Sequence, residues 1–199
     1  MRKKLLLHIK QYWGIYLTLV CVYLVGAIFG IVGSGALGES ESSQLRSFLD
    51  SLLINQPSGL DSQFLLKLAR DAFIIMAGIW LLGLTIIGMP IVYLIVFTRG
   101  FVLGFTVSFM VAAKGLAGIG LAFVSMILPA FMSIPLLLLG AGMAVIFSFL
   151  LLRGKTIGES LRREFFQYTA AAFLISVGAV ISGVAQGYFS LLGVHLLGL

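Results

Sequence analysis

Apolar residues run along this chain in long unbroken stretches rather than in alternation. Uncharged segments occupy residues 11–37, 72–98, 100–113, 115–152 and 165–199. A membrane-crossing helix takes about 20 residues, and most of these stretches are long enough for one passage. Transmembrane β-strands would need segments of roughly 10 residues with alternating polarity, and the runs here are continuous. The pattern therefore predicts an all-α integral membrane protein, a polytopic helical bundle forming a single membrane domain over 1–199. The stretch 115–152 is too long for one straight crossing, and Pro129 and Pro135 interrupt it. Spans are predicted at 13–34, 72–87, 90–113, in a segment ending near Leu152, and at 165–186.

Composition strengthens this reading. The chain has 199 residues, 60% of them hydrophobic and 10% charged, with a mean hydropathy of +1.14. Soluble domains run near 45–50% apolar and about 25% charged, so the solvent of this surface is lipid. The 24 glycines suit membrane helices, where small residues let backbones approach. A formal net charge of +6 would point to nucleic acid in a soluble protein. Here it is read as positive charge placed on the cytoplasmic side, with membrane lipids rather than nucleic acid as the partner.

Charge placement then gives an orientation. Arg2, Lys3, Lys4 and Lys10 precede the first span without an acidic residue, so the segment 1–12 is expected to be cytoplasmic. Its basic start and following apolar run imitate a signal peptide. The apolar stretch of about 20 residues exceeds the 7–15 of a cleaved signal, so a retained signal-anchor helix is expected. The loop 36–70, with the adjoining Asp71, carries five acidic against three basic residues and is expected outside. The connector 153–164 carries four basic against two acidic residues and is expected inside. The segment between them must cross an odd number of times, and three crossings fit its length. The sum is about five transmembrane helices, amino terminus in and carboxyl terminus out, in a bacterial cell membrane.

Gly88-Met89-Pro90 reads as a helix stop followed by proline in the first turn of the next helix. That break places Arg99 well inside the third span, where an arginine costs ~3 kcal/mol on insertion scales and needs a polar partner or a wet cleft. The alternative runs the second helix unbroken to Phe97 and leaves Arg99 snorkelling at the interface. In the outside loop, Leu45, Phe48, Leu49, Leu52 and Leu53 share one helical face. Such a short amphipathic segment serves as a platform for an extracytoplasmic partner, or rests on the outer leaflet. Three GxxxG pairs, Gly26/Gly30, Gly100/Gly104 and Gly183/Gly187, mark close helix packing within one bundle or between copies in a homo-oligomer.

Candidate chemistry is sparse. Apart from Asp71 at a boundary, the apolar runs hold no Asp or Glu, so a carboxylate relay for ion coupling is missing. His8 and His195 are expected on opposite sides of the membrane and cannot share a metal. Cys21 is the only cysteine and cannot form an internal disulfide. No phosphate loop, dinucleotide fingerprint or Cys/His cluster occurs, so neither a cofactor nor an enzymatic activity is expected. The breaks at Gly88–Pro90 and Pro129–Pro135 leave open a transporter or channel-type subunit that binds substrate around Arg99.

Residues 83–90 (Gly-Leu-Thr-Ile-Ile-Gly-Met-Pro), then 99–105 (Arg-Gly-Phe-Val-Leu-Gly-Phe), Leu128-Pro129, Ile134-Pro135 and the run to Leu152-Arg153 resemble the stage II sporulation protein M family. So does the overall plan of a basic amino terminus, an early outside loop and about five helices. Relatives tend to carry an acidic residue near the carboxyl end where this chain has Gln186 in Ala185-Gln186-Gly187-Tyr188. If that acid pairs with the arginine, Arg99 and Gln186 here exchange an ion pair for a neutral hydrogen bond. The resemblance implies a role in endospore formation. The family's membrane protein sits in the septal membrane and anchors a peptidoglycan-degrading machine during engulfment. Stage II sporulation proteins D and P are its extracytoplasmic hydrolase partners.

Overall fold

Five long helices form among the described residues of the computed structural model, which are 12–36, 38, 43–45, 47, 62–152 and 159–196. They are α1 (Trp13–Gly35), α2 (Ser62–Gly83), α3 (Gly88–Ala122), α4 (Leu128–Leu152) and α5 (Glu159–Leu196), with a π-helical turn at Phe123–Ile127 leading into α4. No strand occurs among them. Four segments are long and apolar enough to cross a membrane: Trp13–Gly35, Gly88–Ala113, Leu128–Leu152 and Phe165–Tyr188. The outward surface is what lipid requires, with Phe131 81% and Ile87 74% exposed.

The side-to-side contacts fix the helix directions. Thr18 pairs with Tyr93 at 2.7 Å and Ser34 donates to Ser108 at 2.6 Å, so α1 and α3 run parallel. Between these two bonds the helix backbones touch. A Cβ on Gly26 or Gly30 would strike the carbonyl oxygen of Phe97 or Phe101, and one on Gly100 or Gly104 that of Tyr23 or Ala27. The two GxxxG pairs thus face each other inside one chain, and their missing side chains are what let the backbones meet. Gly183 packs against Leu68 and Ala72, while Tyr168 donates to the Trp80 carbonyl at 3.0 Å, so α2 and α5 are antiparallel. Met76 lies against Gly140 and Gly83 against Ala144, which makes α2 and α4 parallel. In consequence α1, α3 and α5 run one way and α2 and α4 the other. The starts of α1, α3 and α5 share one end of the bundle with the finishes of α2 and α4. The buried core joins all five through Leu19, Ile79, Val92, Val96, Val145, Phe147 and Tyr168.

The break between the second and third helices is real and lies earlier than its sequence signal. α2 is expected over 72–87 but spans Ser62–Gly83. Its last residue, Gly83, sits beneath the Tyr168 hydroxyl and against Ala144, with no room for a side chain. Residues 84–87 turn, held by N–H bonds from Leu84 to Leu81 O and from Thr85 to Leu82 O. Gly88 follows, where a Cβ would strike the Leu82 carbonyl. Pro90 then falls in the first turn of α3, where its missing N–H costs nothing. The fully buried Ser148 of α4 donates to the Thr85 carbonyl at 2.8 Å, so α4 supplies the turn with a donor that lipid cannot.

The long apolar stretch 115–152 is opened differently from its prolines alone. α3 is interrupted at Gly115, at φ 59° and ψ −132°, a conformation that L side chains rarely adopt. The helix resumes and widens to π at Phe123–Ile127, directly ahead of Pro129. In a regular α-turn the Pro129 ring would clash with the carbonyl four residues back, and a wider turn relieves that clash. Pro135 stays within α4 without ending it. Of the outside loop, Leu45 lies in a helical turn at 43–45 and is partly buried. Phe48, Leu49, Leu52 and the connector 153–158 lie outside the described residues.

Three substitutions test this framework by unfolding in detergent. Gly104→Ala should destabilise by roughly 1–3 kcal/mol, because backbone rather than a flexible side chain must move. Gly115→Ala, which meets no atom within 4 Å, should cost about 1–3 kcal/mol through backbone strain alone. Gly78→Ala, in a helical position with open space, should be neutral or stabilising.

Candidate functional site

Several polar side chains, including the two charged residues Asp71 and Arg99, meet around one cavity of about 570 Å³. All five helices line it: Tyr23 from α1, Asp71 from α2, Arg99 and Thr106 from α3, Ser133 from α4 and Gln186 from α5. Its remaining wall is apolar and includes Leu68, Met76, Leu103, Ile134 and Leu137.

Register explains why these residues converge. Asp71 precedes the end of α2 at Gly83 by 12 residues, and Arg99 follows the start of α3 at Gly88 by 11. At 1.5 Å per residue both stand roughly 17 Å from the turn that joins the helices, so they share one level. Tyr23 belongs to the same level, because its carbonyl lies against Gly100. Tyr23 and Asp71 both lie within electrostatic reach of Arg99. Among the described residues, however, Arg99 makes no ion pair within 4 Å and no hydrogen bond to Gln186. Its side chain is exposed, opening into the cavity. Thr106 spends its donor on the Val102 carbonyl at 2.8 Å and keeps an acceptor free for the cavity.

The sequence reading singled out Arg99 and Gln186, and both line this cavity. Gly88 and Pro90 open the helix that carries Arg99. Gly100 and Gly104 sit on that helix's opposite contact, against α1, so they fix where Arg99 stands without touching the cavity. Pro129 is buried in α4, and Pro135 is exposed outside the cavity lining. Leu45 is far along the chain in the outer segment and does not contribute. Asp71, Tyr23, Thr106 and Ser133 were not anticipated as one cluster. Counting outward from the Gly83–Gly88 break in both directions would have paired Asp71 with Arg99.

The end of the bundle at the 84–87 turn is closed by contrast. Phe147 stacks on Tyr168 with ring centroids 4.6 Å apart and planes 6° from parallel, and Tyr168 is held by its bond to the Trp80 carbonyl. Three buried polar atoms have no hydrogen-bond partner among the described residues: Trp80 Nε1, Thr169 Oγ1 and Ser182 Oγ. No three His, Cys, Asp or Glu side chains come together among the described residues. The cavity offers one cation, one carboxylate and neutral hydrogen-bonding groups, which is an arrangement for holding a polar ligand in an apolar surround.

The family described as stage II sporulation protein M matches residues 18–191 of the chain. No curated protein and no solved structure is similar to it.

Ser148→Ala should leave the Thr85 carbonyl with the longer bond from the Gly88 N–H at 3.2 Å alone and lower stability by about 1 kcal/mol, read as a drop in thermal midpoint. A double-mutant cycle on Arg99 and Asp71 (Arg99→Gln, Asp71→Asn) should give a coupling of about 0.5–2 kcal/mol. The same cycle with Gln186→Ala should give a smaller coupling, since no bond joins it to Arg99.

Proposed function

The chain belongs to the stage II sporulation protein M family, and from that premise we propose that it is a non-catalytic membrane scaffold. It anchors and localises peptidoglycan-degrading enzymes at the septal membrane during engulfment in endospore formation. The observation that carries this reading is the family match, which takes in all but the ends of the chain. In this reading the chain crosses the bacterial cell membrane five times, amino terminus in and carboxyl terminus out, with α2 as the fifth span. The helix directions support that count, because α2 runs beside α4 and α5 and returns the chain to the end where α3 starts. Orientation is supported by charge: the basic segment before Trp13 and the exposed Arg162 of α5 flank the same end of the bundle. The outer segment bearing Leu45, Phe48, Leu49 and Leu52 is then the contact for extracytoplasmic hydrolases of the stage II sporulation protein D and P type.

A second reading is favoured by one observation, the charged cavity at mid-span. A transporter or channel-type subunit would use Arg99 as its substrate contact. The two readings separate cleanly in experiment. Affinity capture of the tagged chain from its native membrane should recover peptidoglycan hydrolases, and changing Leu45, Phe48 and Leu52 to serine should abolish their recovery. Capture of an ATPase, or of nothing, would remove the scaffold reading. Arg99→Ala should leave hydrolase capture unchanged, whereas a transporter would lose flux with assembly intact.

A further inference from the structure

We propose that the Arg99–Asp71 cavity binds a zwitterion carrying a phosphate and an amine, the headgroup chemistry of phosphatidylethanolamine. Arg99 holds the phosphate and Asp71 the ammonium.

The argument starts from two opposite charges on one level of a helix bundle, both exposed and both lining one cavity, yet with no ion pair within 4 Å between them. Each is expensive to keep ionised in hydrocarbon without a partner. A ligand with both signs of charge satisfies the two together, while a simple anion leaves Asp71 repelling it and a simple cation leaves Arg99 doing the same. The guanidinium presents a planar fork that takes two phosphate oxygens at once. Around this charged level stand neutral groups, Tyr23, Ser133, Thr106 and Gln186, able to bond the remaining phosphate and ester oxygens.

Size and access fit an amphiphile. At ~30 Å³ per water, a cavity of about 570 Å³ is far larger than a single bridging water needs. Ile74 of α2 and Val102 of α3 both line it and are each 52% exposed. The gap between α2 and α3 therefore borders the apolar surface where lipid lies, and an acyl chain can leave by that side while the headgroup stays within.

The test uses the full chain purified into nanodiscs of phosphatidylglycerol and phosphatidylethanolamine, with native mass spectrometry counting retained lipid. The wild type should retain one phosphatidylethanolamine in preference to phosphatidylglycerol by about tenfold. Arg99→Gln should lose retention of both lipids. Asp71→Asn should keep a bound lipid but lose the preference. Soluble phosphoethanolamine added as competitor separates the sources: displacement means that a free zwitterion fills the site, and persistence means that the lipid does. Equal retention of the two lipids by the wild type, or an unchanged preference in Asp71→Asn, would overturn the proposal. Should either variant fail to fold, the wild-type thermal midpoint serves instead. It should rise with phosphatidylethanolamine and not with phosphatidylglycerol, and equal rises would again overturn it. Occupancy is measured here without partner or flux, so failure leaves both functional readings above intact.

Discussion

Backbone meets backbone where α1 crosses α3. At Gly26, Gly30, Gly100 and Gly104 no side chain separates the two helices, and each carbonyl of the contact lies where a Cβ would be. In lipid no hydrophobic force drives helices together, and close van der Waals contact of this kind takes its place. The pair is also parallel, which has a topological cost. Two neighbouring parallel helices cannot be joined by a short turn, so the chain must travel back through α2 before α3 can begin. That detour puts α2 on the far side, against α4 and α5 rather than tightly on α3. The space left between α2 and α3, roughly 17 Å from the turn that joins them, is where the charged cavity lies.

The two halves of the molecule are therefore built on different terms. The half that holds the 84–87 turn is dense: the Phe147–Tyr168 stack, the Tyr168 bond to Trp80, and Ser148 supporting the turn all fall there. Each of those polar groups finds its acceptor on a neighbouring helix, which is how a bundle in lipid satisfies exposed backbone. The half away from that turn holds the cavity and its polar lining. A rigid floor below an open chamber fixes the positions of Arg99 and Asp71 through helix register rather than through bonds between them.

Much of this was legible in the sequence, and the gaps have physical causes. Helix existence followed from runs of apolar residues, and the boundaries at Trp13 and Leu152 fell within a residue or so of expectation because charge lies next to them, whereas α3 runs past the expected 113 to Ala122 and α5 begins at Glu159, ahead of the expected 165. The α2 boundary moved because its start, near Lys67, Arg70 and Asp71, is amphipathic rather than apolar, and because the turn that follows its end is supported by Ser148, 63 residues from Thr85 in sequence. Asp71 looked interfacial for the same reason. Only the position of the turn shows that it stands level with Arg99. The π turn could not be anticipated, since Pro129 and Pro135 look alike in sequence. One is accommodated by widening the helix before it and the other sits within α4 without ending it. The glycine pairs were visible as motifs, but their mutual facing depends on α1 and α3 being parallel, which is a property of the whole topology.

The parallel contact also dictates an order of events during synthesis. Thr18 and Tyr93, which bond at one end of it, are separated by 75 residues. At roughly 5–20 residues per second, α1 leaves the translocon several seconds before its partner emerges. For that interval its glycine groove faces lipid or the insertion machinery, unprotected. A nascent chain that stalls between the first and third helices thus presents an adhesive stripe to any other small-residue helix nearby, including the α1 of another newly made copy.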